Sequence, residues 1–438
     1  MKEKFNNGML IVATRLQSQR HFSAIKNGFT TLLPIIIVGS FCTLFSNVIC
    51  NTTEGYFSLA NVPGLSFLGN LKPIFAAANY GTMNFLAIAI AVLIAIELGG
   101  SYGIQDKALP MVSLASYISL CTTSTVFTDP AGSVHSITDV LAVRYTGAQG
   151  LFVAMLVALA SAEIYCRLVK GGRMEIKMPE SVPPNVSRSF TILFPSAITI
   201  LLVSAVGLIF SAATGLTVFD AIVRFIQKPL AHVLTGLPGY LFLVFMSTLL
   251  WSFGIHGTQT LKAVYEPILL AAFAENEAAY LAGAGIPNII NTPFMSCFST
   301  MTGAGVTGGL LIAIFLFSKR EDYRAIGRLA IPCAVFNINE PLVFGLPIVM
   351  NPILVIPFMI APAVSAAFAY FMTTIGFCGR MVVNAPWTTP PVLMGLLSSG
   401  GSVGAAVTQL ICILLSAVVY APFVIAANKQ PAESEYSE

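Results

Sequence analysis

Four stretches of this chain, residues 229–261, 278–318, 341–379 and 381–428, contain no Asp, Glu, Lys or Arg. Each is longer than the roughly 20 residues that one helix needs to cross a bilayer, and each is interrupted by Pro, Asn or Gly. At membrane depth, irregular backbone is tolerated only where protein or a water-filled cavity surrounds it. The second half of the chain must therefore hold broken elements inside a protein-lined space. Shorter charge-free gaps at 27–53, 73–96, 108–128, 145–162 and 189–219 each suit one spanning helix. Of the 438 residues, 56% are hydrophobic and 9% charged, with a mean hydropathy of +0.83. Soluble domains carry about 25% charged residues, so a soluble globular chain is excluded. The expected class is an all-α polytopic membrane protein with about ten transmembrane helices, two re-entrant hairpins and amphipathic connectors.

In the second half, helices are expected near 238–255, 262–283, 300–318, 353–377 and 402–427. The N-terminal segment 5–20 suits either an interfacial helix or a solvated lead-in. No cleavable signal peptide is expected, because Arg15, Arg20 and Lys26 interrupt its apolar character. With ten spans and a cytoplasmic N-terminus, 17 of the 22 Lys and Arg fall on the inside. That asymmetry supports an even number of spans and both termini in the cytoplasm. The polar, Pro-rich segment 166–188 reads as a cytoplasmic loop. Residues 216–237 place Val218, Ile222, Phe225 and Ile226 opposite Arg224 and Lys228, as in an interfacial connector helix. A net charge of +3 does not suggest nucleic-acid binding. The eight cysteines form no CxxC pair, so they read as packing residues.

Two segments, 284–299 and 331–352, are apolar on either side of a polar, Pro-containing centre. They are expected to be the re-entrant hairpins whose tips line a substrate site. Glu340 stands in the second, within Asn337-Ile338-Asn339-Glu340-Pro341. A charge at the bilayer centre costs about 2.5–3.5 kcal/mol on insertion scales. Glu340 therefore reads as a ligand acceptor facing a cavity, or as a tie for the tip amides. Asn337 and Asn339 suit either ligand hydroxyls or closure of the tip. His256, between Gly254 and Gly257 and followed by Thr258-Gln259, reads as a ligand site, with Gln259 beside it; helix–helix hydrogen bonding is its ordinary alternative. Trp387 suits stacking on a sugar ring or anchoring at the membrane interface. No second His or Cys stands at metal-ligand spacing, so no metal and no cofactor are expected. Carboxylate, imidazole and amide groups around an aromatic plate fit a neutral polyhydroxylated ligand.

The stretches MPESVPPNVSRSF (178–190), WSFGIHG (251–257) and NINEPLVFGLPIVMNP (337–352) resemble one family, as do GAQGLFVAML (147–156) and SYGIQ (101–105). It is the phosphotransferase-system sugar permeases of the lactose/cellobiose/diacetylchitobiose type, the enzyme IIC subunits. The resemblance implies a homodimer. It implies that residues 1–215 form a scaffold and dimerisation domain, and that 216–237 connect it to a mobile sugar-transport domain at 238–430, with a cytoplasmic tail at 431–438. It further implies that a disaccharide enters from outside and is released inward for phosphorylation by a separate IIB protein, with IIA upstream. His256 and Glu340 would then bind sugar hydroxyls. Glu340 would lie near the hydroxyl that receives phosphate, as a possible base, and the chain itself would be a transport subunit rather than an enzyme. No IIA or IIB domain is recognised, so those partners are expected to be separate chains; the basic segment 319–328 is a candidate surface for IIB. The expected location is the bacterial cell membrane. An ion-coupled secondary transporter, with Glu340 as proton or cation site, is the alternative.

Overall fold

The computed structural model describes residues 19–429 except 53–57, 130–131, 173–182, 347, 349–350 and 352. The expectations for residues 5–18, for the core of the basic loop and for the tail 431–438 lie outside the described residues. The chain is almost entirely helical. The principal helices are α1 Arg20–Leu44, α2 Lys72–Met83, α3 Leu86–Ser101, α4 Ala108–Ile118, α5 Leu151–Gly171 and α6 Pro184–Thr214. They continue as α7 Leu237–Ser252, α8 Gly257–Leu281, α9 Gly308–Phe317, α10 Glu321–Ala334, α11 Val355–Thr374 and α12 Val403–Ala427. By length and apolarity, five described helices can cross a bilayer, or seven if two broken pairs each count as one span. The fold class is as expected, but this count is lower than ten. Helices α4 and α9 are too short to cross unaided. Helix α8 is interrupted by Lys262, Glu266, Glu275 and Glu277.

Contacts divide the chain into two units, one holding residues 17–36 and 80–230, the other residues 37–79 and 231–438. In the N-terminal unit, α3 packs against α4 and α5, and α4 also meets α6. Helix α3 is apolar except for Glu97 and Ser101 near its end, and the face it buries runs through Leu86, Ile90, Ile94 and Leu98 at helical spacing. On α6, by contrast, Leu201, Leu208 and Ile209 are exposed, as expected of a helix that faces lipid or a partner. The charge-free gap at 108–128 does not fill with helix. Helix α4 stops at Ile118, and Ser124–Thr128 pairs antiparallel with Val134–Thr138, β1 and β2, with all ten residues exposed. The β-branched residues Thr125, Val126 and Thr128 favour an extended chain. The intervening Asp129 and Gly132 close the turn, where Ser133 N–H donates to Asp129 Oδ1. The connector is helical over residues 218–235, with a wide-turn stretch at Val223–Gln227, and its Phe225 and Ile226 are exposed.

In the C-terminal unit, α12 packs against α9 and α11, and α7 against α8 and α11. Its core gathers Trp251, Leu310, Ile314, Phe358, Tyr420 and Val424. Gly309 lets α9 approach the Ser416–Ala417 backbone of α12, where a Cβ would collide. Residues 37–79 belong to this unit, although the sequence reading places them with the rest of the first half. Two contacts tie them there: an apolar cluster joining Leu44 to Val382 and Val383, and a buried polar knot. Glu277 of α8, 2% exposed, accepts hydrogen bonds from Thr43 Oγ1 and from Asn79 Nδ2, the latter at 3.3 Å. Asn79 Nδ2 also reaches Thr43 Oγ1 at 2.8 Å and the Gly39 carbonyl at 3.1 Å. An acidic group shielded from water binds its donors firmly because leaving any of them unmade carries a desolvation cost.

Stranding buried hydrogen-bond donors costs about 1–3 kcal/mol each. Glu277→Leu is therefore expected to destabilise the purified protein by about 2–4 kcal/mol, and Thr43→Val by less. Thermal unfolding in detergent measures both, and an unchanged midpoint for Glu277→Leu would remove the knot from the forces that hold 37–79 in place.

Candidate functional site

Three irregular segments meet in the C-terminal unit. The first follows the short helix Thr292–Phe298, which Asn291 caps by accepting from the Phe294 N–H at 3.0 Å. After it the chain runs through Thr302, Gly303, Gly305 and Val306, all at positive φ (56°, 90°, 80° and 50°), before α9 begins. A β-branched residue such as Val306 rarely adopts this conformation. Residues 284–291 are non-helical, as the first expected hairpin requires, but the break runs on to 307 rather than ending at 299. The second segment is the turn after α10, where Asn337 takes φ 62°, a conformation asparagine tolerates better than most residues. A short helix, Glu340–Gly345, restarts at once with Pro341 in its first turn, where a missing N–H is harmless. This break falls within the segment 331–352 expected to form the second hairpin, as far as that segment is described. The third segment is 379–392, which ends at Val392 with φ 73°.

Side chains close these breaks against one another. Asn337 Oδ1 accepts from Thr302 N–H at 2.6 Å, and its Nδ2 donates to the carbonyls of Trp387 at 2.7 Å and Thr389 at 2.8 Å. Asn339 Nδ2 donates to the Ala304 carbonyl at 2.6 Å and to Thr307 Oγ1 at 3.0 Å. The carbonyls of Gly305 and Val306 are taken by Tyr420 Oη and Ser416 Oγ of α12, both at 2.8 Å. One turn pair further along α12, Gln409 Oε1 accepts from Val392 and Gly395 N–H (2.7 and 2.8 Å), and its Nε2 donates to the Cys297 carbonyl at 2.9 Å. Gln409, Ser416 and Tyr420 are fully buried. Sequence reading missed all three. The signal was present as polar groups seven and four residues apart in an otherwise apolar span, a spacing that puts them on one face.

The sequence-expected site residues fall into two groups. Asn337 and Asn339 are buried, 7% and 4% exposed, and their amides are engaged with protein. Glu340, Gln259 and Trp387 are exposed, Trp387 by 53%. Glu340 makes no hydrogen bond or ion pair among the described residues. His256 is half-buried. It follows a turn at Gly254, φ 77°, and caps α8: its Nδ1 accepts from Gln259 N–H at 3.4 Å and lies 3.0 Å from Thr258 Oγ1. Because a backbone N–H can only donate, Nδ1 is an acceptor and the neutral ring carries its proton on Nε2. The ring packs on Trp251, with centroids 4.4 Å apart. Gly257 lies so close to the Ser247 carbonyl that no Cβ fits. A cavity of about 10 Å³ is lined by Ser247, Thr258, Ser299, Thr300 and Gly305, so the start of α8 adjoins the 299–307 break. Asn337 and Asn339 fasten that same break to the tip that carries Glu340. The contacts on this tip place the turn at Trp387–Thr389, the loop at Thr302–Thr307 and the start of α8 against the Asn337–Asn339 segment or beside the break it fastens.

The family model for "Phosphotransferase system, EIIC" matches residues 26–362, and the chain belongs to that family. EIIC components are membrane permeases, and this chain is accordingly a transport component. It is similar to the lichenan permease IIC component of Bacillus subtilis, 34% identical over 97% of this chain and 93% of that one. It is also similar to the cellobiose-specific EIIC component of Geobacillus stearothermophilus, 32% identical over 98% and 94%. Among solved structures it resembles the transporter ChbC, the IIC component of an N,N'-diacetylchitobiose-specific phosphotransferase system. There the TM-score is 0.89, with 34% identity and 98% of each chain covered.

Asn337→Leu keeps the side-chain volume but strands one buried N–H and two carbonyls, so a loss of about 2–4 kcal/mol of stability is expected. Gly303→Ala, which demands positive φ and intrudes on the Asn339 side chain, is expected to act in the same direction. Thermal midpoints that match the unaltered protein for both variants would show that the tip is not fastened by this contact.

Proposed function

We propose that this chain carries a neutral β-linked disaccharide of the cellobiose or diacetylchitobiose kind inward across the cell membrane. Phosphorylation falls to a separate IIB protein, itself charged by IIA. The supporting observation is the division of labour at the knot. Asn337 and Asn339 are spent on fastening backbone, and Glu340, one residue further, keeps its carboxylate exposed and unpaired among the described residues. Glu340 and His256 are proposed to hold sugar hydroxyls, the first as acceptor and the second through its Nε2 donor. Trp387 is proposed to stack on a pyranose ring and Gln259 to supply a further hydrogen bond. Asn337 and Asn339 are positioning residues in this scheme. Glu340 is placed near the hydroxyl that receives phosphate, where a carboxylate could accept its proton.

The helices of the C-terminal unit are proposed to move as the sugar-carrying body, with the chain a homodimer and both termini cytoplasmic. The apolar residues exposed on α6 suit either lipid or a second copy. Helix α10 is proposed to meet IIB. At its start, Arg320 lies 4.2 Å over the Tyr323 ring and pairs with Asp322, and that hydrogen-bonded pairing holds the Asp322 carboxyl below the usual carboxylate range. Lys319 and Arg328 form no ion pair among the described residues and remain to attract a phosphorylated partner.

Glu340→Gln and His256→Ala are expected to weaken equilibrium binding of cellobiose or diacetylchitobiose at least tenfold. Glu340→Gln should leave the thermal midpoint nearly unchanged, while His256→Ala should also lower it by removing the α8 cap, a loss of about 0.5–2 kcal/mol. A lost charged hydrogen bond is worth about 1.5–3 kcal/mol. Vesicle uptake tests the rest: phosphosugar is expected only when the soluble phosphocarriers are supplied. Free sugar accumulating under an ion gradient would instead make this an ion-coupled transporter, and unaltered affinity in both variants would dismiss the site.

A further inference from the structure

The N-terminal unit holds a second cavity that sugar transport does not use. Its volume is about 650 Å³, in the range of sites that bury a small molecule. Its walls come from helix ends: the start of α1, the end of α3, the turn at 104–107 and the start of α4. These ends are tied together on one side of the unit. Glu163 of α5 accepts from Tyr102 Oη at 2.6 Å and meets His21 Nε2 at 3.2 Å, and Tyr165 Oη donates to Asp106 at 3.0 Å. Arg167 and Lys170 stand at the same end of α5, so this is the end at which basic residues gather, as they do at a membrane–water boundary.

The lining is charged with both signs. Arg20 and Lys107 are exposed and form no ion pair among the described residues; the Arg20 guanidinium lies over the Tyr102 ring at 4.6 Å. Glu97 accepts from Asn27 Nδ2 at 3.0 Å through one carboxylate oxygen, and its other oxygen has no partner among the described residues. Asp106 is already committed to Tyr165 Oη and to Ala108 N–H. The remaining wall mixes the polar Ser23, Ser101 and Gln105 with an apolar side formed by Ile96, Leu109 and Pro110. Ile96 and the neighbouring Met111 are exposed, 47% and 60%, and continue that apolar edge along α3 and α4. Two cations, one half-used carboxylate and an apolar lip together match an amphiphile with a phosphate, a primary ammonium and a hydrocarbon tail.

We propose that this cavity binds the headgroup of an aminophospholipid, phosphatidylethanolamine. Arg20 and Lys107 take the phosphate as charge-assisted donors. The second oxygen of Glu97 accepts from the ammonium, and the acyl chains leave past Ile96 and Met111. A quaternary choline has no N–H to give Glu97, and a glycerol headgroup brings no positive charge.

Native mass spectrometry of the purified full-length protein, titrated with phosphatidylethanolamine, phosphatidylcholine and phosphatidylglycerol, tests this. One phosphatidylethanolamine per chain is expected, at least tenfold tighter than either other lipid. Glu97→Gln is expected to reduce phosphatidylethanolamine to the level of phosphatidylglycerol, and the double variant Arg20→Gln with Lys107→Gln to weaken all three. Disaccharide affinity, measured on the same variants, is expected to be unchanged and confirms folding. Equal affinity for the three lipids, or a preference that survives both variants, would overturn the proposal. Soluble phosphoethanolamine binding as tightly as the lipid would reassign the cavity to a free solute.

Discussion

Backbone amides and carbonyls cannot be left without partners where water is excluded, and this structure is organised by that constraint. Three segments of the C-terminal unit abandon helical hydrogen bonding. Their polar groups are then satisfied by a small set of buried side chains: Asn337, Asn339, Gln409, Ser416 and Tyr420. A net hydrogen bond contributes only about 0.5–1.5 kcal/mol, but an unmade one costs about 1–3 kcal/mol. The larger effect of these residues is therefore to exclude other arrangements of the loops. Residues at positive φ cluster in the same place, and each such non-glycine residue stores about 1–3 kcal/mol of strain. Thr302, Val306, Asn337 and Val392 keep these conformations because their neighbours are fixed by the same network.

A break of this kind yields something an intact helix cannot. It brings segments distant in sequence together: Asn337 holds Thr302 and the turn at Trp387, and Asn339 holds Ala304 and Thr307. Binding groups on a rigid frame lose little entropy when a ligand arrives. The pairing of neighbours with opposite duties, Asn339 buried and Glu340 exposed, follows from geometry. Asn339 reaches back to the 299–307 loop from the residue before the helix, and Glu340 opens that helix with its side chain exposed.

Much of this was legible in the sequence, because an apolar chain has few polar residues and each must be accounted for. Long charge-free stretches interrupted by Pro and Asn foretold the breaks, and the second-half helices fall near their expected ranges. Other features depend on contacts between distant segments. Glu277 reads as a helix-end residue until Thr43 and Asn79 are seen around it, and only then do residues 37–79 group with the second half. The β1–β2 hairpin was hidden because Val, Ile and Thr serve a spanning helix and a strand equally well. Asn337 and Asn339 left ligand binding and tip closure both open, since an amide serves either and only its partners decide. The polar face of α12 could have been found by counting intervals, because Gln409, Ser416 and Tyr420 recur at helical spacing.

The two buried acids of α8 differ from Glu340 in a way that bears on what a membrane carboxylate is for. Glu277 is enclosed by a hydroxyl and an amide, and Glu266, 7% exposed, lies one turn from the equally buried Lys262. Glu277 is fully engaged inside the fold, and removing one partner of such a buried polar contact is destabilising because the others are left unpaired. Glu340 has no such enclosure. Its carboxylate is exposed and unpaired among the described residues, so of the three acids it is the one left open to a ligand, as the proposed function requires.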